Sequence, residues 1–322
     1  MRTLGLAVAV LAVLAVLSAA TSISIYERAG PLPRTAAVVV PRGSTRDVAE
    51  ALKRAGVFDS PLEFEVAAYA THRDGPIHAA EFVLPAHASL REVLAVLRHA
   101  HPVEHRLTIA EGLTSAEIAR ALSNADAATG PVIVPAEGSV LPQTYEYERG
   151  TARSMLLERM QAAMRSTLAS VWARRDTTAG LASPRALLVL ASMVEHETAM
   201  KDERPVIAGV FINRLRLGMK LQSDPTVAYQ AAGGLGPLDR RLTRADLATP
   251  GPTNTYVVAG LPDAPICAPG LASLLAAAHP AVTNSLYFVA NGTGGHVFAD
   301  SLSDHVAHVA CYRHPETCAK SQ

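Results

Sequence analysis

Hydrophobic and polar positions divide the chain into three stretches with different periodicities. After Met1-Arg2-Thr3 an apolar run extends from Leu4 to Leu17 and continues through small residues to Ile25. Counted through Tyr26, it has the length of a bilayer-spanning helix, which needs ~20 residues for ~30 Å of hydrocarbon. A basic start, an apolar centre and Ser18-Ala19-Ala20 also suit a cleavable signal peptide. Length alone favours a retained anchor, with Arg2 holding the amino end inside the cell. Glu27 to Thr35 carries two prolines and a glycine and reads as a linker.

From Ala36 a unit of strand, tight turn and helix recurs. Ala37 to Val40 leads to Ser44-Thr45-Arg46-Asp47 and a helical stripe of Val48, Ala51, Leu52 and Ala55. Phe82 to Leu84 leads to Ser89-Leu90-Arg91-Glu92, and Arg106 to Ile109 to Thr114-Ser115-Ala116-Glu117. In each copy a hydroxyl residue stands three positions before an acid, the capping box that satisfies free amides at a helix start. The pattern predicts a small α+β region over residues 36–125. Its sharper reading is a LysM-like module that binds cell-wall sugar chains.

Residues 124–138 form a boundary with two prolines and a predicted short apolar strand. Beyond it, Met155, Leu156, Met160, Met164, Leu168 and Val171 recur at helical spacing over Ala152 to Arg174 and read as core packing. Ser183-Pro184 opens another helix, running through Leu187 to about Glu197. Val206 to Leu217 reads as a third helix, stopped by Gly218. Ser285 to Ala290, a glycine turn and His296-Val297-Phe298 predict a β-hairpin.

Composition narrows the class. With 322 residues, 49% of them hydrophobic and 18% charged, the chain can bury substantial cores. Its formal net charge of zero gives no electrostatic footprint for nucleic acid. Three cysteines (Cys267, Cys311, Cys318) cannot pair completely; Cys311 and Cys318 are close enough in sequence to bridge outside the cytoplasm.

The chemistry concentrates at the end of the helix that Ser183 opens. Glu195 and Glu197 lie about 200° apart around a helix axis and cannot share a face. Leu187, Leu190 and Val194 mark a stripe whose next position is Glu197, so this acid is partly desolvated and kept protonated, as a general acid must be. Glu195 falls with Leu188 and Ser192 and is the secondary candidate. The alternative is that both glutamates merely pair with Lys201 or Arg204. His196-Glu197-Thr198-Ala199-Met200 misses the HExxH zinc motif because Met200 replaces the second histidine; neither a metal nor a cofactor is expected. Gln222, Asp224 and Thr226, followed later by Asn254 and Tyr256, supply polar and aromatic groups suited to a sugar.

Several separated motifs carry a resemblance. Glu195-His196-Glu197-Thr198, Glu203-Arg204-Pro205, Val210 to Leu215, Gly218 to Val227, Asn254-Thr255-Tyr256 and Leu286 to Val289 occur in the order found in the YceG-like endolytic murein transglycosylases, which this chain strongly resembles. The resemblance implies an α+β protein: a membrane anchor over 1–26, a linker over 27–35, the LysM-like region over 36–125 and a mixed α+β catalytic domain over 126–322. It implies cleavage of peptidoglycan glycan strands between MurNAc and GlcNAc, leaving 1,6-anhydro ends and limiting strand length. Glu197 maps onto the family's catalytic acid. Motif membership and polarity make Gln222, Asp224, Thr226, Asn254 and Tyr256 candidate site-lining groups; the alternative is that some of them hold the cleft together, with Asp224 before Pro225 capping a helix or turn. Implied partners are glycan strands, the cell (inner) membrane and wall synthases or division proteins, with the catalytic domain on the extracytoplasmic side. A non-catalytic peptidoglycan-binding scaffold is the alternative. The chain departs from the family pattern at Leu141 to Tyr145, Thr253, Ala268 and Asn291.

Overall fold

The computed structural model describes residues 2–314, and its chain divides into two compact units. The first holds the described residues up to His105 together with Tyr147–Gly150; the second holds Arg106–Glu146 and the described residues from Thr151 onward. Both mix helices with short two-stranded sheets.

The chain opens on α1 (Arg2–Glu27). Within it, Ala9–Glu27 is long and apolar enough to cross a membrane, and none of that window is buried. There follow β1 (Ala36–Val39), α2 (Thr45–Arg54), α3 (Pro61–Ala70), β2 (Glu81–Leu84), α4 (Leu90–His99) and β3 (Glu104–Thr108). β1 and β2 pair antiparallel with Val38 opposite Phe82, both buried, while Val39 and Val83 point outward. The buried set joins Leu52, Phe64, Val93, Leu94 and Leu97 in one core.

All three expected capping boxes form: Ser44 with Asp47, Ser89 with Glu92 and Thr114 with Glu117. The repeat pattern did not include α3. Its start is capped by Ser60 with Pro61 in the first turn, but the helix is apolar nearly all round and so lacks the periodicity that marks an amphipathic helix.

The second unit contains α5 (Ser115–Ser123), part of β4 (Thr144–Glu148), which pairs with β3, and α6 (Arg153–Ala173). α7 (Pro184–Glu197), α8 (Arg204–Arg216), α9 (Asp224–Ala231), α10 (Arg244–Ala248), α11 (Leu271–Ala278), β5 (Tyr287–Ala290), β6 (His296–Ala299) and α12 (Leu302–Arg313) complete it. The apolar strand predicted within 124–138 does not form. Val132-Ile133-Val134 is irregular, because Pro131 and Pro135 bracket it with two residues that cannot donate to a ladder.

α7 is the centre of the second core and packs most extensively on α11 and α8. Its inward residues Leu187, Leu190 and Val194 are wholly buried. From α6, Leu156, Met160 and Met164 are buried, whereas Met155 is exposed. Trp172 is half-buried, with the Arg175 guanidinium 3.5 Å over its ring. Cys267 is buried and free; Cys318, needed for a bridge to Cys311, lies outside the described residues.

The close fit of α8 gives a stability test. A Cβ on Gly209 would lie 2.5 Å from the Ala281 carbonyl oxygen, a backbone atom with little room to retreat. Gly209→Ala is expected to lose roughly 1–3 kcal/mol despite its better helix propensity, measured as a lower denaturation midpoint.

Candidate active site

Ser183 accepts the Ala186 amide at 3.1 Å and Pro184 occupies the first turn, which fixes the start of α7. The helix ends at Glu197, where Thr198 turns extended. Thr198 donates its hydroxyl to Glu203 Oε2 at 3.0 Å and accepts the Met200 amide at 3.1 Å. Glu203 also takes the His296 backbone N–H at 2.7 Å and meets His296 Nδ1 at 2.7 Å, tying the segment after α7 to β6. Burial acts to raise the Glu203 carboxyl, but the hydrogen bonds from His296 and Thr198 outweigh it and hold the group below its ordinary value.

The two glutamates have different environments. Glu195 accepts Arg204 Nη2 at 3.1 Å on one oxygen and the Gly270 amide at 2.8 Å on the other, both carboxylate and guanidinium being buried. The expected pairing with Arg204 therefore holds for Glu195. Glu197 instead accepts one hydrogen bond, from Ser223 Oγ at 2.5 Å, and lines a cavity of about 320 Å³. Burial pushes its carboxyl up to about 7; the Ser223 bond opposes this, the negative charge of Asp224 adds to it, and the charges of His296 and Arg214 oppose it.

Gln222, Asp224 and Tyr256 line the same cavity, with Arg214, Phe288, His296 and His305. Tyr256 donates its hydroxyl to Asp224 Oδ1 at 2.5 Å. Burial, then the Asp224 bond, raise the Tyr256 phenol above its ordinary value. Asp224 also lines a neighbouring cavity of about 560 Å³ with Glu195, His196 and Tyr229. The Arg214 guanidinium is held by the carbonyls of Leu286, Lys220 and Leu221 at 2.6, 3.2 and 2.8 Å.

Thr226 and Asn254, expected beside the others, are wholly buried. Asn254 Nδ2 donates to the carbonyls of Asp246, Leu247 and Thr249, while its Oδ1 accepts the Tyr256 amide at 2.9 Å. Thr226 Oγ1 donates to the Ser223 carbonyl at 2.7 Å and meets Thr255 Oγ1 at 2.9 Å; Thr255 in turn accepts the Ser223 amide at 2.9 Å. These groups shape the backbone that presents Ser223 and Tyr256. Gln222 adopts φ +51°, a left-handed conformation uncommon outside glycine, with its amide donating to the Thr255 carbonyl at 3.1 Å.

Sequence reasoning left Ser223, Arg214 and His296 without site roles. Ser223 stood within a polar run whose order does not reveal which hydroxyl turns inward. Arg214 had a usable signal: a cation on a helix flanked by Val210, Phe211, Ile212 and Leu215 must find partners when it is buried.

The sequence profile of the YceG-like family matches residues 38–311, and the chain belongs to that family. Among known proteins it is 37% identical over 172 residues to a Bacillus subtilis protein named endolytic murein transglycosylase, a match covering 53% of this chain and 46% of the relative. It is 34% identical over 180 residues to the protein of that name from Streptococcus pneumoniae, covering 54% of this chain and 32% of the relative. The matched part thus spans less than half the length of either. A crystal structure of a YceG-like protein from Listeria monocytogenes superposes with a TM-score of 0.55 at 25% identity, covering 85% of this chain and 98% of that one.

Substitution of the two glutamates should move stability in opposite directions. Glu195→Ala takes from the buried Arg204 its closest partner and leaves it only the half-exposed Glu111 at 3.8 Å, and is expected to cost roughly 2–4 kcal/mol. Folding raises the Glu197 carboxyl from 4.5 to about 7, so its charged form is disfavoured in the native state. Glu197→Gln should therefore change little below pH 4.5, gain stability as pH rises, and level off above about 7 at roughly 2–4 kcal/mol. Denaturant melts of both variants from pH 4 to 8 check the signs.

Proposed function

We propose that this chain is an endolytic lytic transglycosylase of peptidoglycan, held by α1 in the cell (inner) membrane with its other elements on the extracytoplasmic side. The observation that carries the reading is the single proton-poised carboxyl of Glu197, raised to about 7 at the end of a buried helix and facing a polar cavity. The names of the relatives support it, as does the position of Asp224 on two neighbouring cavities, which lets a polymer continue past the acid instead of ending there.

Glu197 as the acid protonates the glycosidic oxygen between MurNAc and GlcNAc. The C1–O bond breaks and its electron pair stays with the departing GlcNAc oxygen. Glu197, now a carboxylate stabilised by the Ser223 hydroxyl, takes the proton from the MurNAc C6 hydroxyl as O6 closes on C1. The proton is back on Glu197, no water is consumed, and the product carries a 1,6-anhydro ring. A water-activating second carboxylate, as in inverting glycosidases, has no place in this cycle.

Gln222, Asp224 and Tyr256 line the cavity and are read as substrate contacts. Thr226 and Asn254 act one step behind, by shaping the wall. The capped strand and helix units of the first unit support a LysM-like role in holding the glycan strand. Cleavage beside the membrane would trim strands as they are made, placing the enzyme near wall synthases or division proteins.

Incubation of the protein with uncrosslinked glycan strands and mass analysis of the ends tests the reaction. The expected products carry 1,6-anhydroMurNAc ends and vanish with Glu197→Gln; ordinary reducing ends would mean hydrolysis and overturn the reading. Because Glu197 must start protonated, kcat/KM is expected to fall about tenfold per pH unit above about 7. Ser223→Ala removes the bond that lowers this value, so the falling limb should move to higher pH.

A further inference from the structure

α3 carries an apolar stripe that the described residues leave largely exposed. Leu62, Val66 and Tyr69 are 68%, 60% and 81% exposed, and their spacings of four and three put them on one face. The opposite side is satisfied, since Phe64 and Ala68 are buried in the core of the first unit. A helix with one face in the core and an apolar second face in water is costly by the hydrophobic effect, unless that second face has another solvent.

The position of α3 against α1 identifies that solvent. Leu62, Val66, Ala67 and Ala70 line an apolar groove whose other wall is Ser22, Ile23, Ile25 and Tyr26 of α1. Those α1 residues belong to the Ala9–Glu27 window that is apolar enough to cross a membrane. At 1.5 Å per residue, Ser22 to Tyr26 lie about 2–8 Å below the Glu27 end of that window. The face of α3 beside them is carried to the same depth, where amphipathic helices lie in a bilayer, about 5–10 Å into the boundary between headgroups and acyl chains.

Glu65 flanks the stripe on the side away from the groove, beside Tyr69 and His72. Glu63, the acid bordering the groove, is paired with Arg28 at 3.2 Å, just beyond the end of α1. Tyr69, at the far end of the stripe, is of a type enriched at membrane interfaces, and His72 stacks on its ring with centroids 5.9 Å apart.

We propose that Leu62, Val66 and Tyr69 of α3 dock into the extracytoplasmic leaflet of the membrane that α1 spans, giving the first unit a second, in-plane attachment. This rests on reading α1 as a membrane span. Ile25 and Tyr26 of α1 pack against the core of the first unit, so a single span leaves that unit free to tilt with α1, whereas two attachments fix its tilt against the bilayer.

The test adds single tryptophans to the full chain, reconstituted in phosphatidylethanolamine and phosphatidylglycerol vesicles doped with brominated phosphatidylcholine. The unaltered protein, with Trp172 as its only tryptophan, sets the baseline. Leu62→Trp and Val66→Trp report on the stripe, and Leu17→Trp on the span; all three positions are exposed, so the fold should tolerate the larger ring. The added emission at 62 and 66 is expected to drop at least about twofold with bromines near the headgroup and less with bromines near the chain end, as for an interfacial helix. At 17 the order should reverse. Quenching at 17 with none at 62 and 66 overturns the docking and leaves the span intact. Quenching nowhere overturns both, and quenching at 62 and 66 without 17 supports a lipid-bound stripe while rejecting the span.

Discussion

The site depends on a carboxyl group held where burial and a single hydrogen bond oppose each other. Glu197 ends a helix whose inward stripe is wholly buried, so its charged form is poorly solvated. The negative end of the helix dipole works in the same direction. Ser223 pulls the other way by donating to the carboxylate. With burial alone the group would hold its proton too firmly to act as a base; with several donors it would be an ordinary carboxylate and a poor acid. A value of about 7 leaves both forms accessible near neutrality.

Keeping one donor on one oxygen requires a stiff wall. The Ser223 amide is held by Thr255 and its carbonyl by Thr226, and those two hydroxyls meet each other. Asn254 closes the neighbouring loop with three carbonyls and the Tyr256 amide. A buried polar network whose members are satisfied is rigid, because any displacement leaves a desolvated group unpaired. On the other side, Arg204 takes Glu195 and His296 takes Glu203, so neighbouring acids are committed to partners and Glu197 is left to its hydroxyl.

Much of this was legible in the chain. The Leu187, Leu190, Val194 stripe continued to Glu197 because helical periodicity alone decides which of two carboxylates follows the core. The three capping boxes were legible because the cap is local, four residues long and chemically specific. What was not legible depends on partners distant in sequence. Ser223 meets Glu197 across 26 positions and Thr255 across 32, distances at which no spacing rule operates. Polarity is visible in a sequence while burial is not, so the chain alone does not separate Gln222, Asp224 and Tyr256, which line the cavity, from Thr226 and Asn254, which are buried in its wall. α3 escaped because a helix with apolar residues on both faces has no period to detect.

The outward stripe of α3 and the carboxyl of Glu197 are unusual for the same physical reason. Polar groups are ordinarily left in water and apolar ones withdrawn from it, so departures from that sorting call for a compensating partner. Glu195 departs from it and is compensated in full by Arg204 and the Gly270 amide, which gives it a structural role. Glu197 departs from it and is compensated only in part, which leaves a proton free to move. The outward stripe of α3 departs in the opposite sense, and nothing among the described residues covers Leu62 or Val66. On the proposal made for α3, its compensation comes from outside the described residues. The one apolar medium that the adjoining helix implies is the bilayer that α1 is long enough to cross.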